Sequence, residues 1–151
     1  DLHLGYEEAL QHDGILLPPG HLEKIKARLG PILDRLGAEG RPRRLVINGD
    51  LKHRFAPLSR SEWREALRLI EFLEKRFDEV LLLKGNHDRS IEYLAGGACS
   101  LKVQRSLRQD ELIIVHGDRH PQEGELRGAK LVLIGHEHPA VGLRSPISGR
   151  L

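Results

Sequence analysis

The chain has 151 residues, 24 Lys and Arg against 22 Asp and Glu for a formal net charge of +2, 30% charged residues and one cysteine. That length suits one domain, residues 1–151, with a real core. So small a net charge gives no argument for a polyanionic partner, and the apolar runs are strand-sized, which excludes an expected membrane span. The lone Cys99 excludes an internal disulfide and suits a reducing, cytoplasmic setting; it reads as a small buried residue.

Asp1-Leu2-His3-Leu4-Gly5 is expected to be extended, so that residues two apart face one way: Asp1 and His3 toward one ion, Leu2 and Leu4 toward the core. Residues 6–20 are polar, end in Pro18-Pro19-Gly20 and read as a loop holding solvated His12, with His21 also solvated just after it. Leu22, Ile25, Leu29, Ile32, Leu33 and Leu36 repeat at helical spacing and predict a core-facing helix, kinked or split at Gly30-Pro31. A basic turn over 37–44 leads into the strand Leu45-Val46-Ile47, which runs into Asn48-Gly49-Asp50-Leu51-Lys52-His53. Lys52, Arg54 and Arg60 add positive charge here; solvated charge and phosphate contact both remain open. Ser59 and Glu62 fit a capping box for a helix whose stripe is Trp63, Leu67, Ile70, Leu73 and Phe77, with Trp63 in the core rather than a stacking platform.

Val80 to Leu83 reads as a strand buried on both faces, ending in Gly85-Asn86-His87-Asp88. A short helix over 89–94 follows, stopped by Gly96-Gly97. Leu101 to Gln104 and Leu112 to Val115 are predicted strands joined by a polar turn, 106–110, and the second ends in His116-Gly117-Asp118. Leu131 to Ile134 is the last strong run, ending in Gly135-His136-Glu137-His138, where alternation places His136 and His138 on one side. Ala140 to Leu143 reads as a further strand. No repeat, linker or low-complexity segment interrupts the pattern.

Each polar cluster taken singly is a common turn. Five of them share one description: each lies at the end of an extended stretch and carries side chains that bind hard or borderline cations. In an α/β fold the carboxyl ends of strands are where ligands bind. Carboxylate, imidazole and amide oxygen without thiolate suits Mn²⁺, with Fe or Zn²⁺ as alternatives.

The ordered set Asp-x-His, Gly-Asp, Gly-Asn-His-Asp, His and Gly-His-x-His resembles the signature of calcineurin-like metallophosphoesterases over almost the whole chain. The longer phrases DLHLGYE, GILLPPG, INGDLKH, KGNHD, VHGD and GHEHPA resemble a branch of that family holding small archaeal relatives of the SbcD nuclease subunit and the bacterial ligase-associated phosphoesterases. The resemblance implies an α/β/β/α sandwich and two divalent metal ions. Asp1, His3 and His138 would hold the first, Asn86, His116 and His136 the second, and Asp50 would bridge them. It implies hydrolysis of phosphoesters by a metal-bridging hydroxide, with His87 as the catalytic side chain that no metal takes.

Asp50-Leu51-Lys52-His53-Arg54 departs from the protein phosphatases of this family, which place an aspartate where His53 stands. A histidine there is similar to the SbcD-type nucleases and implies a catalytic His53 and a phosphodiester substrate, DNA or RNA. Arg54 is the candidate contact for a substrate phosphate and keeps a phosphomonoesterase open as the alternative. A non-catalytic binding module on this fold is a third reading, disfavoured by the complete ligand set. A DNA-repair helicase or ligase is the partner the branch implies. Asp88, Asp118 and Glu137 read equally as supporting partners or as turn formers, and His120 as a loop residue. A metal ligand as first residue leads us to expect native residues, including a strand, before Asp1.

Overall fold

The computed structural model describes residues 1–38, 40, 43–95 and 100–139. Cys99, Gly96-Gly97 and the strand expected over 140–143 lie outside the described residues.

The first sheet, in order β1-β2-β3, is wholly parallel: β1 (Arg44–Asn48), β2 (Glu79–Leu83) and β3 (Lys102–Gln104). The central strand is apolar along its length because both its faces are covered, the pattern typical of parallel strands. Val80 and Leu82 belong to one hydrophobic cluster with Leu69, Ile70 and Leu73 of α3 (Arg60–Glu74) and Leu22 and Leu33 of α2 (His21–Ala38). Leu81 and Leu83, on the opposite face by strand alternation, are equally buried on the side of the second sheet, where Ile113 and Val115 are buried too. That second sheet has the order β4-β5-β6: β4 (Ser106–Gln109) pairs antiparallel with β5 (Leu112–Val115), which pairs parallel with β6 (Leu131–Leu133). The amide of Asn48 donates to the carbonyl of Val115 at 3.0 Å and ties the ends of β1 and β5 across the sandwich. Two sheets with α2 and α3 on the outer face of the first agree with the expected architecture. Among the described residues the second sheet carries only the four-residue α5 (Glu123–Leu126), and β6 is exposed.

Several local expectations need correction. The loop over 6–20 contains α1 (Tyr6–His12), a helix with no buried residue. Its carboxylates fasten it instead of an apolar face. Glu7 accepts the amides of Gly20 and His21 at 3.1 and 2.9 Å, and Glu8 accepts the Ser59 hydroxyl at 2.8 Å. His21 is not merely solvated, since its Nε2 lies 2.9 Å from the carbonyl oxygen of Leu2. Helix α2 is not split at Pro31, which lies inside it. Ile32 and Leu36, expected in the core, are 55% and 45% exposed. The polar turn over 106–110 is mostly strand β4, because β5 needs an antiparallel partner for its free edge. The short helix after Gly-Asn-His-Asp starts later than expected, as α4 (Glu92–Ala95). The capping box is as expected: Ser59 Oγ accepts the Glu62 amide at 3.1 Å and Glu62 accepts that of Ser59 at 2.9 Å.

Two buried charges join the strands to the loops beyond them. The Asp88 carboxylate, fully buried, accepts the amides of Leu51 at 2.9 Å, Lys52 at 3.4 Å and Gly85 at 2.9 Å, so one side chain holds the loops after β1 and β2 together. Burial pushes its carboxyl upward, and the amide donors pull it back. Lys52 is also fully buried, and its ammonium donates to the carbonyls of Arg54 and Ala56. The phosphate contact considered for Lys52 is thereby corrected, because its charge is spent inside its own loop.

Asp88→Ala strips the acceptor from three buried amides, each costing about 1–3 kcal/mol when orphaned. A loss of more than about 3 kcal/mol is expected, read as a drop in the urea midpoint with the slope unchanged; a loss below about 1 kcal/mol would show that the clip is dispensable.

Candidate metal centre

β1, β2, β5 and β6 point the same way within their sheets, and each ends in one of the polar clusters: Gly49-Asp50, Gly85-Asn86-His87, His116 and Gly135-His136. The first residues join them by backbone pairing. The Leu2 and His3 amides both donate to the carbonyl of Asp50, at 2.8 and 3.0 Å, and the Leu4 amide donates to Leu51 at 2.8 Å.

Five non-glycine residues among those described have positive φ, and three of them are expected ligands: His3 at 48°, Asp50 at 49° and His136 at 63°. Such conformations cost energy and persist where surrounding structure enforces them, commonly at functional sites. They also correct two sequence arguments. Asp1 to Leu4 is not a regular extended segment, and His136 and His138 do not share a face through strand alternation, because β6 ends at Leu133.

The first cluster gathers Asp50, His116 and His136, whose ligand atoms all lie within 4.8 Å of one another. Nδ1 of His116 sits 2.8 Å from the carbonyl oxygen of Asn48. Its Nε2 lies 3.2 Å from Asp50 Oδ2 and 3.2 Å from Asn86 Oδ1. Two oxygens and a ring nitrogen converging at such distances make a donor set that a divalent cation fits. The outward hydrogen bond to a carbonyl is the support that metal-binding histidines generally have. Glycines leave the space for this packing. A Cβ on Gly49, itself at φ +84°, would lie 2.0 Å from His116 Nδ1, and one on Gly85 would lie 2.3 Å from Asp50 Oδ1.

The second cluster is His3, His53 and His87, again within 4.8 Å of one another. The His87 amide donates to Asp50 Oδ1 at 3.0 Å, and its Nδ1 donates to the backbone carbonyl of His53. Its Nε2 is left on the side of Asp50 Oδ2, 4.0 Å away. The buried Nδ1 atoms of His3 and His53 have no hydrogen-bond partner among the described residues. Burial lowers the His3 imidazole from 6.5 to about 4, and neighbouring His87 pushes the same way; burial likewise lowers His53. A ring kept neutral offers its lone pair to a cation without competition from a proton.

Asp1 belongs between the clusters. Its Oδ2 is 2.9 Å from His138 Nε2 and its Oδ1 is 3.7 Å from His116 Nδ1. The His138 ring lies 6.1 Å from that of His3, centroid to centroid. Short approaches thus link Asp1, Asp50, Asn86, His116 and His138. His136 stands in the first cluster, and His3 is grouped with His53 and His87 rather than with Asp1 and His138. The oxygen and imidazole donors fit hard or borderline divalent ions. Arg54 is half-buried, its amide bound to Glu62 Oε1 at 3.0 Å. Asp88 is the clip described above, while Asp118, Glu137 and His120 are exposed. Two aromatic residues at this site escaped the sequence analysis: Tyr6, edge-on to His53 at 4.9 Å, and Phe55, its ring 3.8 Å from that of His87. Tyr6 opens a helix with no buried face and Phe55 lies in a loop, so no periodicity marks either, and only their closeness to Asp-x-His and His53 in sequence could have suggested them.

A sequence model of the family described as calcineurin-like phosphoesterase matches residues 1–140. No protein of curated function matches the chain. Among solved structures, the crystal structure of the Pseudomonas putida nuclease MPE is similar, with a TM-score of 0.56 and 28% identity, covering 100% of this chain and 63% of that one. The chain therefore spans somewhat less than two thirds of the nuclease's length.

Two outcomes follow from this geometry. The unfolded chain takes up a proton at His3 near pH 6.5, while the folded ring stays neutral to about pH 4. Metal-free protein should lose stability as pH falls through that window, since the unfolded state then binds more protons. His3→Asn should flatten the fall in urea midpoint; an unaltered pH profile would count against it. Gly85→Ala should weaken Mn²⁺ binding at least about tenfold by calorimetry, as expected when the supports of metal ligands are displaced, with the far-ultraviolet circular dichroism retained.

Proposed function

The chain belongs to the calcineurin-like phosphoesterase family, and from that premise we propose that it is a metal-dependent phosphoester hydrolase acting on phosphodiesters, with DNA or RNA strands as its substrate class. In this reading Asp1, His3 and His138 hold one divalent ion, Asn86, His116 and His136 hold the other, and Asp50 is shared. Mn²⁺ is the metal we favour. Such ions supply Lewis-acid polarisation of phosphoryl oxygens and a water acidified toward neutral pH.

The observation that carries the diester reading is the pairing of His53 and His87. The backbone carbonyl of His53, not its ring, orients His87, so the His53 imidazole stays available, its buried Nδ1 without a partner among the described residues. A diester carries one negative charge and chiefly needs a proton delivered to its leaving oxygen, work suited to imidazole. A monoester dianion calls for fixed cations, and Lys52 is buried in its own loop. His87 accordingly protonates the leaving oxygen from Nε2, and His53 stands beside it to hold the phosphate or relay a proton. Arg54 is the remaining cation of this loop and is assigned to a substrate phosphate. The likeness to a Pseudomonas nuclease supports the same substrate class. One cysteine in the chain fits a cytoplasmic enzyme, and a repair helicase or ligase is the partner we assign to it.

With Mn²⁺, hydrolysis of bis(p-nitrophenyl) phosphate should exceed that of p-nitrophenyl phosphate, and a chelator should abolish both. Preference for the monoester, with no cleavage of single-stranded DNA or RNA, would overturn the assignment. His87→Ala should lower kcat on a single-stranded oligonucleotide, whose alkoxide leaving oxygen needs the proton, by roughly 10²–10⁴ while Mn²⁺ affinity by calorimetry stays within about twofold. An unchanged kcat would remove its role.

A further inference from the structure

Proteins that hold single strands combine phosphate contacts with stacking of the bases, and the sequence offers no obvious surface for the bases. The loop between β1 and α3 supplies one. Phe55 is 58% exposed, although its ring lies 3.8 Å from that of His87 at an interplanar angle of 31°. One face is therefore stacked on the assigned catalytic histidine and the rest is open to solvent. The loop is not free to withdraw the ring. Glu62, buried, accepts the amide of Arg54 at 3.0 Å, and buried Lys52 donates to the carbonyls of Arg54 and Ala56. Two buried charges thus grip the backbone on both sides of an apolar ring that gains little burial from being there.

Three residues further on, a cavity of about 540 Å³ is lined by Leu58, Ser59, Arg60, Trp63 and Arg64. Arg60 and Arg64 lie one helical turn apart on α3, so both serve the same surface. Trp63 packs on the core as expected, yet it also lines this cavity, so the sequence reading gave it too narrow a part. An indole, an exposed phenyl ring and two guanidiniums combine base stacking with phosphate attraction, the pairing by which proteins hold single strands.

Resting on the diester reading above, we propose that Phe55 is the stacking platform for the base next to the scissile phosphate, and that the cavity lined by Arg60, Trp63 and Arg64 receives the adjoining stretch of a single-stranded nucleic acid. A duplex would keep its bases paired away from Phe55, so the surface selects single strands. The ring's inner face keeps His87 in place while its outer face carries the base.

The test is fluorescence anisotropy of a labelled single-stranded oligonucleotide with the full chain in chelator, beside an abasic strand of equal length. The wild type should bind the base-bearing strand more tightly. Phe55→Ala should weaken that binding by roughly 5- to 150-fold, the range for loss of one base–aromatic stack. The preference over the abasic strand should collapse, and Phe55→Trp should restore it. Arg60→Ala with Arg64→Ala should lower the salt dependence, log Kd against log salt, by about 1.4 for two lost contacts to a single strand. A Phe55→Ala protein that binds both strands as the wild type does, or loses equally on both, overturns the platform. An unchanged salt slope overturns the arginines. Binding needs no turnover, so a Mn²⁺-loaded wild type that cleaves no strand would sink the diester reading separately.

Discussion

A carboxylate sealed where two parallel strands end is the constraint on which the arrangement depends. Asp88 accepts amides from the loops after β1 and β2 and so fixes the separation of Asp50 from Asn86 and His87. Parallel strands end with their last groups unpaired, and the chains leave the sheet in different directions. The shared acceptor gives the two loops a common reference, and the His87 amide, donating to Asp50 Oδ1 at 3.0 Å, joins them a second time. The carboxylate is expensive to bury, and three amide donors offset that cost.

The same device recurs in the loop that follows. Lys52 and Glu62 are both fully buried, yet neither reaches into the cluster of histidines. Lys52 ties down carbonyls of residues 54 and 56, and Glu62 holds the amides of residues 54 and 59. A segment with few apolar contacts of its own thereby becomes rigid enough to present His53, Arg54 and Phe55 in fixed positions. Burying unlike charges that find hydrogen bonds on every side favours one conformation over its competitors.

The site itself is under electrostatic and conformational tension. Polar atoms of Asp50, Asn86 and His116 crowd together, burial lowers the pKa of His3 and His53, and three expected ligands adopt left-handed backbone. Each feature costs stability in the metal-free chain. Divalent cations would relieve the first directly and give the lone pairs of the second a partner. The strain is local, because the hydrophobic cluster beneath is made by α2, α3 and the first sheet.

Hydrophobic pattern and motif order made most of the fold legible, and pointed to the polar side chains that it gathers. The five apolar runs became strands, Ser59 and Glu62 capped α3, and the residues of the five clusters met at strand ends, because burial and capping are written in residue type and spacing. What local pattern could not carry was decided by tertiary structure. Helix α1 is fastened by carboxylates to distant amides; β4 is a strand paired with the edge of β5; α2 continues past Pro31. The assignment of Lys52 to its own loop, the grouping of His3 with His53 and His87, and the exposed ring of Phe55 have the same origin. Each depends on which groups lie close in space after folding, and a charge or an aromatic ring reads the same in sequence whether it faces solvent, a substrate or a buried carbonyl.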